Sequence, residues 1–140
     1  MQNRDDIIMA ARSWLGRPWR HQGRSSTGID CAGLVVLVAR SLGLADHDVS
    51  GYRRTPHAGR FVAAFREAME EIRIADLKTG DVILFADGTS PCHVAFYAAG
   101  EDQPRIIHAH ALRRKVVEEI YTADWQKKAI HAFRFYGVAD

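Results

Sequence analysis

The sequence lacks the features that mark several classes of protein. Its 140 residues contain only two cysteines, Cys31 and Cys92, which are too few for a disulfide scaffold and lack the paired spacing of a zinc ribbon or redox motif. The longest apolar run covers the nine residues 31–39, about half of what a membrane-spanning helix needs. With no such framework to explain the cysteines, we consider whether one of them is a nucleophile.

The chain also has little net charge. Nineteen basic and seventeen acidic residues give +2 at pH 7, and the arginines are scattered, whereas a nucleic-acid-binding domain would cluster its positive charge on one face. Charged residues from Arg4 to Arg12 interrupt the apolar residues near the N-terminus, so the uninterrupted apolar stretch of a signal peptide is missing. We therefore expect no nucleic-acid or membrane partner, and synthesis in the cytoplasm without a signal peptide.

Length and apolar periodicity predict one α+β domain over residues 1–140. An apolar content of 47% is ordinary for a globular domain, and a chain of this length buries a core without disulfides or metal. The first half has helical spacing and the second half alternates as strands do, which is the α+β pattern. The predicted helices are 7–15, capped by Asp5 or Asp6 and ended by Gly16, then 31–42, ended by Gly43, and 61–72; residues 17–29 form a loop. The predicted antiparallel strands are 82–85, 93–98, 105–111, 115–120 and 129–136.

Cys31 stands where this loop passes into the second helix. A thiol at the start of a helix lies near unpaired backbone N–H groups and the positive end of the helix dipole, which favours the thiolate. The alternative is that Cys31 is a small buried apolar residue, a common role for a single cysteine.

Histidines in the predicted strands supply possible partners for this thiol. Strand alternation places His93 on one face of its strand, and His108 and His110 together on one face of the next. If these strands pair, His93 faces a residue close to His108 or His110. One imidazole could then act as general base toward Cys31 while a second fixes its tautomer, as in thiol proteases.

A zinc site is a second interpretation of these residues. Cys92, His93, His108 and His110 are acceptable ligand types, although alternation points Cys92 away from His93. We expect Cys92 to be a packed strand residue, and neither a metal nor another cofactor. The sequence pattern assigns no role to His21, His47, His57 and His131.

Several separated segments resemble the NlpC/P60 cysteine peptidases. They are WLGRPW at 14–19, HQG at 21–23, GIDCAGL at 28–34, GDVILF at 80–85, HVAFY at 93–97 and IIHA at 106–109. Their order and spread make the match far more specific than a lone cysteine and histidine. The variant RHQ at 20–22 and the short chain are most similar to a phage-tail and gene-transfer-agent branch.

The resemblance implies a papain-like NlpC/P60 fold, with N-terminal helices packed on an antiparallel sheet. It also implies hydrolysis of peptidoglycan stem peptides, typically between γ-D-glutamate and a diamino acid. Carried over by position, Cys31 is the nucleophile, His93 the general base and His108 the residue that orients it, with His110 as an alternative. The backbone N–H of Cys31 would help to stabilise the oxyanion.

The same comparison assigns substrate contacts and shows two departures. Asp30 matches a position that holds the free amine of the first alanine of the stem peptide, a charge-assisted contact. Trp19, a second substrate-binding position, stands where the family usually has tyrosine, and Ala32 where serine is common. These changes leave the three catalytic positions intact and bear on which stem peptide is cut.

These observations predict a peptidoglycan endopeptidase that opens the cell wall locally, delivered by a phage-tail-like particle together with other particle proteins. One alternative is a non-catalytic structural tail module. Another is an amidase or acyltransferase that uses the same Cys–His pair on a different amide.

Overall fold

The computed structural model describes residues 2–44, 58–87 and 90–139. His47 and His57 lie outside these ranges. For residues 58–60, 87 and 90–92 the description covers the backbone and not the side chains, so the predicted packing of Cys92 lies outside what is described. The described elements are β1 (Gln2–Asn3), α1 (Arg4–Arg12), β2 (Arg24–Ser25), β3 (Gly28–Ile29), α2 (Cys31–Ser41), α3 (Ala58–Ala68), β4 (Glu70–Ile72), a 3-10 turn (Ile74–Asp76), β5 (Val82–Asp87), β6 (Ser90–Ala98), β7 (Arg105–His110), β8 (Lys115–Ile120), α4 (Ala123–Lys128), β9 (Ala129–Arg134) and β10 (Val138–Ala139).

A six-stranded antiparallel sheet forms the centre of the molecule, in the order β4-β9-β5-β6-β7-β8. Strands β5 to β8 are consecutive neighbours, as short connections between antiparallel strands require. Strand β9 returns to the other side of β5, and β1 pairs in parallel with β10 near the two chain ends. Helices followed by this sheet confirm the predicted α+β class.

Apolar side chains cover both faces of the sheet. The larger cluster lies between helices α1 to α3 and one face, and it includes Leu34 and Val38 of α2 with Val94 and Phe96 of β6. The smaller cluster includes Ala95, which alternates with those β6 residues and therefore belongs to the opposite face. Helix α4 contacts β5 and contributes Trp125 to the smaller cluster.

The residue predicted to end helix α2 was right, and the residues predicted to cap the start of helix α1 were wrong. Helix α2 ends just before Gly43, which has a left-handed φ of 68° as the prediction requires. Helix α1 begins at Arg4 and is capped by Asn3, because the Asn3 side chain accepts from Asp6 N at 2.9 Å and the Asp6 carboxylate accepts from Asn3 N at 2.9 Å. Asp6 therefore completes a capping box at the third helical position.

Other boundaries also differ from the prediction. Helix α1 ends at Arg12, three residues before the predicted end, and helix α3 stops at Ala68. The predicted third helix was wrong beyond that point, because residues 70–72 form β4 and pair with β9. Two short strands, β2 and β3, pair inside the predicted loop 17–29, and α4 was not predicted. Within the described residues, no helix has both the length and the apolar character needed to cross a membrane.

Candidate active site

The start of helix α2 is fixed by the side chain of Asp30. Its Oδ1 accepts hydrogen bonds from Gly33 N at 2.8 Å and from Arg24 Nη1 at 3.0 Å, and its Oδ2 accepts from Gln22 N at 2.8 Å. The carboxylate therefore caps the helix and also ties the preceding loop to it. Asp30 is only 3% exposed, and these three hydrogen bonds are all made within the chain. Its contact with a substrate amine stays a prediction.

Gly33 is required by a close approach of the same loop to the helix. A Cβ at this position would lie 2.3 Å from the carbonyl oxygen of Gly23, far inside van der Waals contact. A side chain would push the loop away from the first turn of α2. Gly33, two residues after Cys31, thus allows the loop to pack against the start of the helix.

Cys31 is the first residue of α2, and its backbone N–H belongs to the first turn of the helix. The residue is half-buried, packs against the larger cluster and forms no disulfide within the described part of the chain. Helix α2 packs against both β6 and β7. The helix rests on the face that carries Val94 and Phe96, whereas the rings of His93 and His108 contact Trp125 on the opposite face. Cys31 can therefore meet these histidines only beyond the ends of the strands.

The structure joins His93 and His108 directly. His93 Nε2 lies 2.6 Å from His108 Nδ1, and His108 Nε2 lies 2.9 Å from Glu119 Oε2 on β8. Trp125 Nε1 donates to the other carboxylate oxygen, Glu119 Oε1, at 3.2 Å. His108 is fully buried, so these hydrogen bonds set its orientation.

Donor and acceptor rules determine the tautomers in this chain of hydrogen bonds. An ionised carboxylate only accepts, so His108 Nε2 carries a proton and donates it to Glu119. In a neutral imidazole the other nitrogen is then an acceptor, so His93 Nε2 donates to His108 Nδ1. In neutral His93, Nδ1 is therefore the unprotonated nitrogen, which is the form a general base needs.

The electrostatics of the cluster agree with these tautomers. Burial lowers the pKa of His108 to about 4, against the opposing effect of its hydrogen bond to Glu119. Burial, followed by repulsion from His108 and His110, lowers the pKa of His93 well below its usual range. Burial acts to raise the pKa of Glu119, but the hydrogen bonds from His108 and Trp125 outweigh it and the pKa is lowered. At pH 7 the imidazoles of His93 and His108 are therefore neutral and the carboxylate is ionised.

His110 lies beside this chain of hydrogen bonds. Its ring stacks on that of His108 with centroids 4.9 Å apart, and its Nδ1 is buried without a hydrogen-bond partner among the described residues. The β6–β7 ladder ends at the Phe96–Ile107 pair, before it reaches the histidines. His93 bonds to His108, which favours His108 over His110 as its positioning partner.

A metal ion is compatible with part of the cluster. His108, His110 and Glu119 each bring one ligand atom to within 4.8 Å of the others. The zinc ligands considered from the sequence were different, since they included Cys92 and His93 and omitted Glu119.

Trp19 was singled out from the sequence, whereas Glu119 was not. The Trp19 side chain is half-buried against the larger cluster, and its backbone N–H donates to the carbonyl oxygen of Arg114 at 2.9 Å. Its role in substrate binding stays a prediction. Glu119 was missed altogether. The predicted hairpin of strands 105–111 and 115–120 held the signal for it, because antiparallel pairing of Ile106 with Glu119 puts this carboxylate on the face of His108.

Comparisons with known proteins agree with the geometry. The NlpC/P60 family model matches residues 16–134. "Murein DD-endopeptidase MepS/Murein LD-carboxypeptidase" of Escherichia coli strain K12 is 26% identical over 121 residues, which cover 86% of this chain and 57% of that protein. "Dipeptidyl-peptidase 6" of Lysinibacillus sphaericus is 31% identical over 106 residues, which cover 76% of this chain and 32% of that protein.

A solved structure gives the same result for the fold. The crystal structure of an NlpC/P60 family protein from Bacillus cereus ATCC 10987 superimposes with a TM-score of 0.72 at 26% identity, covering 94% of this chain and 40% of that one. This likeness confirms the predicted papain-like fold, with helices on a mostly antiparallel sheet.

Proposed function

The chain belongs to the NlpC/P60 family, and from this premise we propose that it is a cysteine endopeptidase that hydrolyses peptide bonds of peptidoglycan. The observation that supports this most is the hydrogen-bonded chain from His93 through His108 to Glu119. It fixes the protonation state that a general base requires. The E. coli relative is named for action on murein, which is peptidoglycan.

In the proposed reaction, His93 Nδ1 takes the proton of the Cys31 thiol. The thiolate attacks the carbonyl carbon of the scissile amide, and the resulting oxyanion accepts a hydrogen bond from the Cys31 backbone N–H. The imidazolium of His93 then protonates the leaving amine, so that the C–N bond breaks and a thioester remains. Water attacks the thioester with His93 again as base, which releases the acid and restores the thiol.

Glu119 acts in this scheme as a positioning residue. Without its carboxylate, His108 would be free to carry its proton on Nδ1 and to donate to His93 Nε2. His93 would then carry its own proton on Nδ1, where it could not accept one from the thiol. We expect Cys31 and His93 to meet at the open end of the β6–β7 pair, beyond the last ladder pair at Phe96 and Ile107.

We propose the bond between γ-D-glutamate and a diamino acid as the one that is cut, on the strength of the motif resemblance. The setting we propose is a phage-tail or gene-transfer-agent particle that carries the enzyme to the cell wall after synthesis in the cytoplasm. The sequence at 20–22 supports this setting. Asp30 and Trp19 are the proposed substrate contacts.

Purified chain incubated with soluble peptidoglycan fragments, followed by mass spectrometry of the products, tests the proposal. We expect new products that correspond to cleavage after γ-D-glutamate, and none from Cys31→Ala. His131→Asn is the matched control, because His131 lies on β9 and bonds to Glu71 at 2.9 Å, outside the proposed machinery.

Other products would point to the alternatives. Release of intact stem peptide from the glycan would make the chain an amidase, and no product from any wall type would make it a structural module. Products from Cys31→Ala at the wild-type rate would refute the nucleophile.

A further inference from the structure

We propose that His108, His110 and Glu119 form a binding site for Zn²⁺, and that occupation of this site switches off His93. The inhibitory half of this inference rests on the proposed function, while the binding half does not. Two neutral imidazoles and a carboxylate are the donor types that zinc takes in proteins with three ligands from the chain.

Strand geometry explains why these three side chains converge. His108 and His110 are two residues apart on β7 and so share a face of the sheet. Glu119 lies on the neighbouring strand, where the register pairs it with Ile106 on that same face. Two ligands from one strand and a third from its neighbour enclose the ion from three sides.

The distances require only a small adjustment. One ligand atom from each residue lies within 4.8 Å of the other two. Tetrahedral zinc with bonds of about 2.0–2.1 Å holds its ligand atoms about 3.4 Å apart, so the widest pair closes by at most about 1.5 Å. His108 Nε2 and Glu119 Oε2, at 2.9 Å, are already close enough to share an ion.

His110 gives an independent indication of a ligand. Its Nδ1 is buried and makes no hydrogen bond to any described residue, although buried polar atoms are normally paired. The proposed reaction uses His93 and His108 and leaves this imidazole without a task. A cation bound between His108 and Glu119 would give the His110 ring a partner.

Zinc at His108 Nε2 reverses the direction of the hydrogen bond to His93. The Nε2 proton of His108 leaves to solvent, and the proton of His93 Nε2 crosses the 2.6 Å contact to His108 Nδ1. His93, which has lost its Nε2 proton, takes one proton from solvent on Nδ1 and is again neutral. The nitrogen that should accept the thiol proton is now protonated, so the base is disabled without any contact between zinc and Cys31.

Calorimetric titration with zinc chloride tests the site on untagged, chelator-treated protein. We expect one Zn²⁺ per chain, no binding of Mg²⁺, and an affinity at least about tenfold weaker in His110→Asn. His131→Asn should bind zinc as the wild type does. Cys31→Ala should also bind it unchanged, because the thiol is not a ligand. Equal affinity in His110→Asn, or loss of binding in Cys31→Ala, would overturn the site.

Two further measurements test the switch. Nitrogen NMR of the histidine rings should show His108 change from the Nε2–H to the Nδ1–H tautomer when zinc is added to the wild type, and an unchanged tautomer would refute the mechanism. In peptidase assays, zinc should inhibit the wild type, and His110→Asn, compared with its own rate without zinc, should be at least about tenfold less sensitive to zinc. Equal zinc sensitivity in the two proteins would also refute it.

Discussion

Acidification should destabilise this fold through His108, and the structure sets the size of the effect. An unfolded histidine titrates near pH 6.5, whereas burial lowers the pKa of His108 to about 4 in the native protein. Between these two values the unfolded chain binds the proton and the native chain does not. The stability that neutral His108 contributes is therefore fully present above pH 6.5 and is lost as the pH falls toward 4.

The difference between the two pKa values corresponds to about 3 kcal/mol at 1.36 kcal/mol per pH unit, of which about 2 kcal/mol is lost by pH 5. Urea unfolding of wild type and His108→Asn at pH 7 and pH 5 measures it. We expect the free energy of unfolding to fall by about 2 kcal/mol more in the wild type than in the variant.

The same pH dependence in the wild type and in His108→Asn would refute this reasoning. Direct titration of the His108 ring by NMR gives a check that does not depend on the stability of the variant. A midpoint near 6.5 would show that burial does not hold the ring neutral.

Three further predictions concern the helix start, the thiol and a buried carboxylate. Gly33→Ala should destabilise the fold by about 1–3 kcal/mol, because its Cβ would lie 2.3 Å from the Gly23 carbonyl oxygen; a melting temperature equal to that of the wild type would contradict this. Iodoacetamide should label Cys31 well below pH 8, and His93→Ala should move its labelling toward the ordinary thiol pKa of about 8.5; identical pH profiles by peptide mass spectrometry would exclude the imidazole as its partner. Asp81→Ala should cost about 3–5 kcal/mol in urea unfolding, because the 1%-exposed Asp81 side chain binds Arg4 at 3.0 Å and Arg134 at 2.9 Å; a loss below about 1 kcal/mol would show that the two arginines are easily rehydrated.

Periodicity predicted the parts of the fold that depend on long amphipathic segments. Helix α2 and strands β5 to β9 were found because apolar residues recur along four or more positions of each segment. Helix α4 has only six residues, and its packing of Trp125 against the smaller cluster comes from tertiary contacts. Residues 70–72 continue the apolar pattern of α3, and only their pairing with β9 makes them a strand.

The candidate site was predictable as far as residue types on neighbouring strands. Strand parity brought His93 close to His108 and His110, but it could not say which of the two would bond to His93. That choice depends on the ring geometry where the β6–β7 ladder ends, and on Glu119, which holds the other side of His108. Glu119 was missed because a charged residue in a strand such as KVVEEI at 115–120 is typical of a solvent-exposed face.

Trapping of the covalent intermediate tests the central claim most directly. Wild-type protein mixed with a peptidoglycan stem-peptide fragment and quenched in acid should carry one acyl group, located on Cys31 by peptide mass spectrometry. Cys31→Ala should carry none and release no product. Hydrolysis of the fragment by Cys31→Ala at the wild-type rate, or an acyl group on a residue other than Cys31, would contradict the account.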